Sequence, residues 1–494
     1  MNLNNESKER SNKVIPTNSS NKANEPIEDL KFLRLNKWGN YEIDSKELFR
    51  FLEKNGFRSY FISDSSHIYV RIQNAIVERV YPKRMQDFLR DYIETHSTIE
   101  QETKELALSL LMESRFKFFS ESQLSKLKPI TLKLHRDTEK VSFLYFQNCA
   151  IRITSDSIEK IEYAELKDFH LWKNSILKRD FQGFDDNFKD FDTYQFLYRI
   201  NGQDKDRTES YLSMLGYLLS NHKKQSNVKV IILNDAKYSK IPNGGTGKSL
   251  TVKMIDQFRA VTFENGKAVN LNTRFLFQKV TENTDVYHLS DVMPNFDFKR
   301  LFSIITEDWG VEKKFKDAHN IPFALSPKIV ITTNTRIELK GDSAKRRSTE
   351  YFLDKYYTAD FTPMSEFKEE FFTWEDPKKW ELFNSMMIAC LQLFLKKGLI
   401  VNENPNSKKE ELISKTNADF AMYIESIFPD GQGSVANVTK AQLYENFVSA
   451  CPASVISELD FRRYLNEYCF IYDKQISEKV MKVNKKATRV ISIL

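Results

Sequence analysis

PNGGTGKS, residues 242–249, is a run of small residues that ends in Lys248 and Ser249. Small side chains let successive backbone N–H groups approach phosphate oxygens. Lys248 would meet the β- and γ-phosphates, and the Ser249 hydroxyl would ligate Mg²⁺. Gly244, Gly245, Thr246, Gly247, Lys248 and Ser249 are therefore the candidate ATP-binding residues. The flanks agree with this. Val228 to Leu233 (VKVIIL) is an apolar run of strand type, and Leu250 to Ala260 has helical spacing, which puts the phosphate at a helix N-terminus. The pattern departs at Pro242, where a Gly is the rule, and in the long loop from Asn234 to Asn243. A Gly-rich turn that happens to precede Lys-Ser is the plain alternative.

The chain of 494 residues is long enough for several domains, and its formal net charge of +6 permits a nucleic-acid partner without demanding one. Cys149, Cys390, Cys451 and Cys469 are scattered, which argues against a zinc ribbon or a disulfide framework and for reduced thiols in a cytoplasm. The N-terminus lacks an apolar signal core. The most hydrophobic stretch, Met386 to Leu395, is too short to span a bilayer. It reads as a core helix capped by Asp376, with Pro377 in the first turn and Gly398 as the stop. The expectation is a cytoplasmic protein with no membrane partner.

The sequence divides into residues 1–27, a polar tail expected to be disordered; 28–226, a mixture of strands and amphipathic helices; 227–399, the candidate motor; 400–434, a connecting segment; and 435–494, with its own pattern. In the second part, Arg58 to Ile62 and Ile68 to Ile72 read as strands, and Ser45 to Lys54, Lys83 to His96 and Arg207 to His222 as helices. Asp190-Phe191-Asp192 has the spacing of a metal-holding carboxylate pair, but its polar neighbours favour a solvated turn.

The other parts of an ATP site follow in order. Thr284 to Leu289 reads as a strand ending at Ser290-Asp291. A carboxylate there can hold Mg²⁺ or polarise the attacking water, so Asp291 is the candidate acid, with Ser290 where a second acid often stands. Ser326 to Asn334 is an apolar strand that delivers Asn334, an amide able to contact the γ-phosphate or its water. Arg346 and Arg347 come next, and a guanidinium can neutralise charge on the transferring phosphate.

PNGGTGKS, HLSDV, FSIITEDWGVEKKFKDAHNIPF, SPKIVITTNT and SAKRRS, in that order between Val228 and Phe352, resemble the superfamily 3 helicases, most of all the phage- and plasmid-type primase-helicase proteins. The resemblance implies an α/β fold with an AAA+ P-loop core. It further implies a ring, usually a hexamer, that hydrolyses ATP with Mg²⁺ between subunits and draws single-stranded DNA through its centre. Lys248, Ser249, Asp291 and Asn334 take their roles by matching motif positions, and the arginine finger is Arg346 or Arg347.

After Trp309, Lys313, Lys314, Phe315 and Lys316 stand on what reads as a hairpin. Cations there would follow a phosphate backbone while Phe315 stacks on a base, and in the family the matching element contacts DNA. A solvent-facing basic turn with Phe315 in the core is the plain alternative. Thr439 to Ser449 and Ser457 to Tyr468 read as helices, followed by strands Gln475 to Val483 and Thr488 to Leu494. That is a winged-helix-like outline, with Arg462, Arg463, Lys482, Lys485, Lys486 and Arg489 giving a basic face for duplex or forked DNA, and a structural or protein-docking role as the plain alternative.

These readings together describe an ATP-dependent DNA helicase serving replication of a phage, plasmid or other mobile element. Residues 28–226 would be an α+β collar or an adaptor for a separate primase. The competitors are an AAA+ switch in defence or regulation, a P-loop kinase, and a degenerate motor in which Pro242 and Ser290 mark lost hydrolysis.

Overall fold

Val230, Ile231, Ile232 and Leu233 are all buried, and a strand apolar on both sides requires cover on both sheet faces. The computed structural model describes residues 30–493 apart from 64–65, 97–98, 114, 167, 237–244, 270–272, 294–295, 315–317, 336, 338, 340, 403–406, 430–431 and 484–485. Within it the chain forms two compact units, one of residues up to His135 plus Leu166–Lys173, the other of Arg136–Glu165 plus Asn174 onward.

The first unit is a five-stranded mixed sheet. Phe57–Ser63, Ser66–Gln73 and Ile76–Val80 run antiparallel, and the short strands Pro129–Ile130 and Leu171–Trp172 add in parallel at its two edges. Helices Ser45–Lys54 and Pro82–Thr95 supply Leu48, Leu52, Leu89 and Ile93 to a core shared with Phe57 and Tyr69. Both strands and both helices match the elements expected from their periodicity. The Asp44 side chain caps the first helix by accepting from two backbone N–H groups.

The second unit is built on α1 (Lys205–Leu219), β1 (Val230–Asp235), α2 (Lys248–Asp256), β2 (Val261–Asn265), β3 (Val286–Ser290), β4 (Lys328–Thr332), β5 (Ser348–Leu353) and α3 (Pro377–Lys397). The five strands form a wholly parallel sheet in the order β2-β3-β4-β1-β5. Alternation along β1 sends Ile231 and Leu233 into a core with α1 and α3, and Val230 and Ile232 into a second core on the opposite face. The α3 helix begins at the Asp376 cap with Pro377 and ends at Gly398, as its sequence required. The antiparallel meander Ser142–Tyr145, Ala150–Ile153 and Ile158–Ile161 joins the first of these cores, so this unit's packing begins well before Asn227. Asp190 ends a 3₁₀ turn and Asp192 begins a helix, so these two carboxylates do not share a strand face.

At the amino end of the parallel sheet lies a buried ionic belt. Arg259 sits 3.5 Å from Asp137 and donates to Phe143 O at 3.0 Å, while Asp137 accepts from the N–H groups of Phe143 and Asn221. Lys328, first residue of β4, donates to Tyr217 O and Ser220 O, and burial holds its ammonium well below its ordinary pKa.

Farther along, helices Ser407–Lys415, Ala418–Ile427, Lys440–Ala450 and Glu458–Ile471 pack on a three-stranded sheet. In it Lys486–Ile493 lies between Val435–Val438 and Ile476–Val483. The expected helix, helix and hairpin are all present, with two further helices and a third strand before them. Among the described residues no helix is long and apolar enough to cross a membrane.

Candidate functional site

Parallel strands deliver their following loops to one edge, and the carboxyl ends of β1, β4, β3 and β2 bring Asp235, Asn334, Asp291 and Lys267 there in that order. Thr333 N–H donates to Leu233 O and Val292 N–H donates to Thr332 O, which sets Asn334 between the β1 and β3 ends.

Gly245 and Gly247 adopt left-handed φ of +88° and +95°, and α2 starts immediately after. Gly247 has a second reason to lack a side chain, since a Cβ there would meet Phe196 Cζ at 2.7 Å. Gly244 and Pro242 lie outside the described residues. Lys248 is buried, and Ser249 is exposed on the first turn of α2. The Lys248 ammonium donates to the Asp235 carboxylate and, at 2.9 Å, to Thr246 Oγ1, whose own hydroxyl donates to Asp235 Oδ1 at 2.6 Å. Burial pushes the Lys248 pKa down, while the Asp235 charge and, less strongly, that of Asp291 act to raise it.

Asp291 has a left-handed backbone at φ +53°, rare for a residue with a side chain, and its N–H donates to Thr332 Oγ1 at 3.3 Å. Thr332 also contacts His288 Nε2 at 3.1 Å, and burial pushes the His288 pKa down to about 4, leaving a neutral ring. The Asp291 carboxylate accepts from Lys267 Nζ at 3.2 Å. A tight approach makes this pair: Gly266 N–H donates to Ser290 O, and a Cβ on Gly266 would stand 2.6 Å from that oxygen. Asn334 Oδ1 is buried and has no hydrogen-bond partner among the described residues, so it retains an unused acceptor at the centre of the edge.

The geometry gathers Lys248, Ser249, Asp291 and Asn334. It does not gather Arg346 and Arg347, which end the helix Asp342–Arg347 just before β5. Ser348 pairs with Val230, and Lys229 Nζ donates to Arg346 O, so both arginines stand at the amino end of β1, about 20 Å from its carboxyl end at about 3.3 Å per residue. They are distinguishable there. Arg347 stacks over Phe302 with its guanidinium 5.0 Å from the ring centroid, whereas the Arg346 side chain is exposed and near Lys229, whose charge repels it.

The expected hairpin is present as Trp309–Val311 antiparallel to His319–Ile321. Lys313 is half-buried and Lys314 exposed on the connecting segment, while Phe315 and Lys316 lie outside the described residues. In the C-terminal segment the basic face is partly neutralised: Arg462 pairs with Glu458, Arg463 with Asp460 at 3.1 Å, and Arg489 lies 3.9 Å from Glu478. The side chains of Lys482, Lys485 and Lys486 are outside the described set.

Sequence reasoning missed Asp235 and Lys267. A signal existed for each: Asp235 is the only acid in the run VIILND, and Lys267 follows the one glycine between β2 and β3.

No family model and no curated protein matches the chain. Among solved structures it is similar to the A form apo structure of the NrS-1 C-terminal region, with 14% identity, 91% of this chain and 100% of that chain covered, and a TM-score of 0.39. It is also similar to JCV helicase bound to a small acetamide, with 10% identity, 49% and 66% covered, and a TM-score of 0.27. The chemistry of the site is therefore read from its own residues.

Proposed function

We propose that the chain is an ATP-driven DNA helicase or translocase of the superfamily 3 type, with an AAA+ core, acting as a ring of copies in replication of a phage, plasmid or other mobile element. One observation carries the reading: a phosphate-loop lysine, an acid and an amide whose oxygen has no hydrogen-bond partner among the described residues share one sheet edge, while both arginines stand at the opposite edge. Neither Arg346 nor Arg347 reaches the site of its own copy in this arrangement, and a neighbouring copy in a ring, most simply a hexamer, would bring one of them to the transferring phosphate.

In this reading the backbone from Gly244 to Gly247 and the start of α2 wrap the phosphates, and Lys248 meets the β- and γ-oxygens. Ser249 and Asp291 would hold Mg²⁺, which supplies charge neutralisation on the phosphoryl group when bound. Asn334 Oδ1 would accept a hydrogen bond from the attacking water and fix its direction. Arg346 is the preferred finger because Arg347 is engaged with Phe302. Lys313, Lys314, Phe315 and Lys316 would grip single-stranded DNA, and residues 435–494 would form a winged-helix-like element for forked DNA. Residues 28–226 would serve as a collar or as the docking region for a separate primase.

A second reading, a nucleotide-dependent switch that oligomerises without unwinding, is favoured by the closed pairs Lys248–Asp235 and Lys267–Asp291. The steady-state ATPase rate with and without single-stranded DNA separates the two, measured beside Lys248→Ala and Lys314→Ala. The motor reading expects Lys248→Ala to abolish turnover and Lys314→Ala to abolish only the DNA stimulation. ATPase indifferent to DNA selects the switch.

A further inference from the structure

Lys248 is 6% exposed, and an ammonium so placed needs a compensating anion. Asp235, the last residue of β1, provides it. Its Oδ1 accepts from Lys248 Nζ and from the Thr246 hydroxyl, tying the phosphate loop to the strand from which it departs. We infer that Asp235 is a built-in competitor of the triphosphate for Lys248, a positioning residue whose negative charge holds nucleotide affinity low.

The inference rests on the nucleotide reading and deepens it. Any phosphate that reaches Lys248 comes within contact range of the Asp235 carboxylate, in a recess where little water screens the repulsion. The same contact holds Lys248 and Thr246 in place before nucleotide arrives. Preorganisation and repulsion thus come from a single oxygen, and they can be separated chemically. An Asn at this position presents an oxygen of the same shape to Nζ–H and Oγ–H but carries no charge. The consequence for a cycling enzyme is easy release of the diphosphate product.

The test is equilibrium binding of fluorescent ATP and ADP analogues with Mg²⁺ to the full chain, for wild type, Asp235→Asn and Asp235→Glu, with thermal melts as the folding control. The expectation is about tenfold tighter binding of both nucleotides by Asp235→Asn, the effect of about 1.4 kcal/mol of relieved repulsion. Asp235→Glu, which restores the charge, should return to within about twofold of wild type. If Asp235→Asn does not fold, Asp235→Ser reports the same loss of charge. Equal or weaker binding by a folded uncharged variant overturns the inference while leaving the nucleotide reading intact. Absence of binding in every protein, wild type included, overturns both.

Discussion

The two ends of the parallel sheet carry the same kinds of side chain and use them in opposite ways. At the amino end, Arg259, Asp137 and Lys328 are buried and bound to backbone, and Arg259 and Asp137 also pair with each other, so their bonding capacity is spent inside the fold. At the carboxyl end, Lys248 and Asp291 are held by exchangeable side chains, Lys248 by Asp235 and Thr246 and Asp291 by Lys267, and Asn334 Oδ1 holds no partner among the described residues. A buried charge bonded mainly to backbone is scaffolding. A charge satisfied by side chains alone can change partners when a ligand arrives.

The largest test of this contrast is at Arg346, the exception at the amino end. Arg346→Ala should lower the ATPase rate by about a thousandfold or more with nucleotide affinity unchanged, and mixing it with a Lys248→Ala chain should restore some turnover at mixed interfaces. Arg347→Ala should instead cost less than about 1 kcal/mol of stability, the worth of its contact with Phe302. Equal kinetic effects of the two would break the assignment.

Arg259→Ala should destabilise the fold by about 3–5 kcal/mol in urea unfolding, because Asp137 is left buried without its cation. His288 makes a pH prediction. Its folded pKa of about 4 lies below the ordinary 6.5, so between these values the unfolded chain binds a proton that the folded chain does not. Its contribution to stability is intact above pH 6.5 and declines as the pH falls toward 4, by up to about 3 kcal/mol, and His288→Leu should flatten that part of the slope. The smallest effect is expected at Asn334, where Ala should cut turnover about tenfold yet change stability by less than about 1 kcal/mol, since Oδ1 makes no bond among the described residues.

Strands β1 and β4 were legible because each carries an uninterrupted apolar run, β3 as the short buried stretch Val286 to Leu289, and α3 because Asp376, Pro377 and Gly398 mark both of its ends. The phosphate loop was legible for the same local reason. The partners of its lysine and of the acid were not, because each pair is made by folding rather than by a local pattern. Lys248 meets Asp235 from the other side of the phosphate loop, and Lys267 reaches Asp291 because β2 pairs with β3 and Gly266 meets Ser290. The amino-end belt was invisible, since Asp137, Arg259 and Lys328 are scattered along the chain and no local pattern relates them. The side on which Arg346 stands likewise follows from the parallel pairing of β5 with β1.

The foot of the hairpin has a mechanical meaning. Trp309 is fully buried, with its ring centroid 5.6 Å from Tyr287 on β3 and 4.8 Å from Phe277, and its indole N–H is bonded to Ile304 O. Tyr287 lies on the same short strand that presents Asp291. Close packing of this kind leaves neither ring room to move alone, so Trp309 ties the first strand of the hairpin to the strand that presents Asp291.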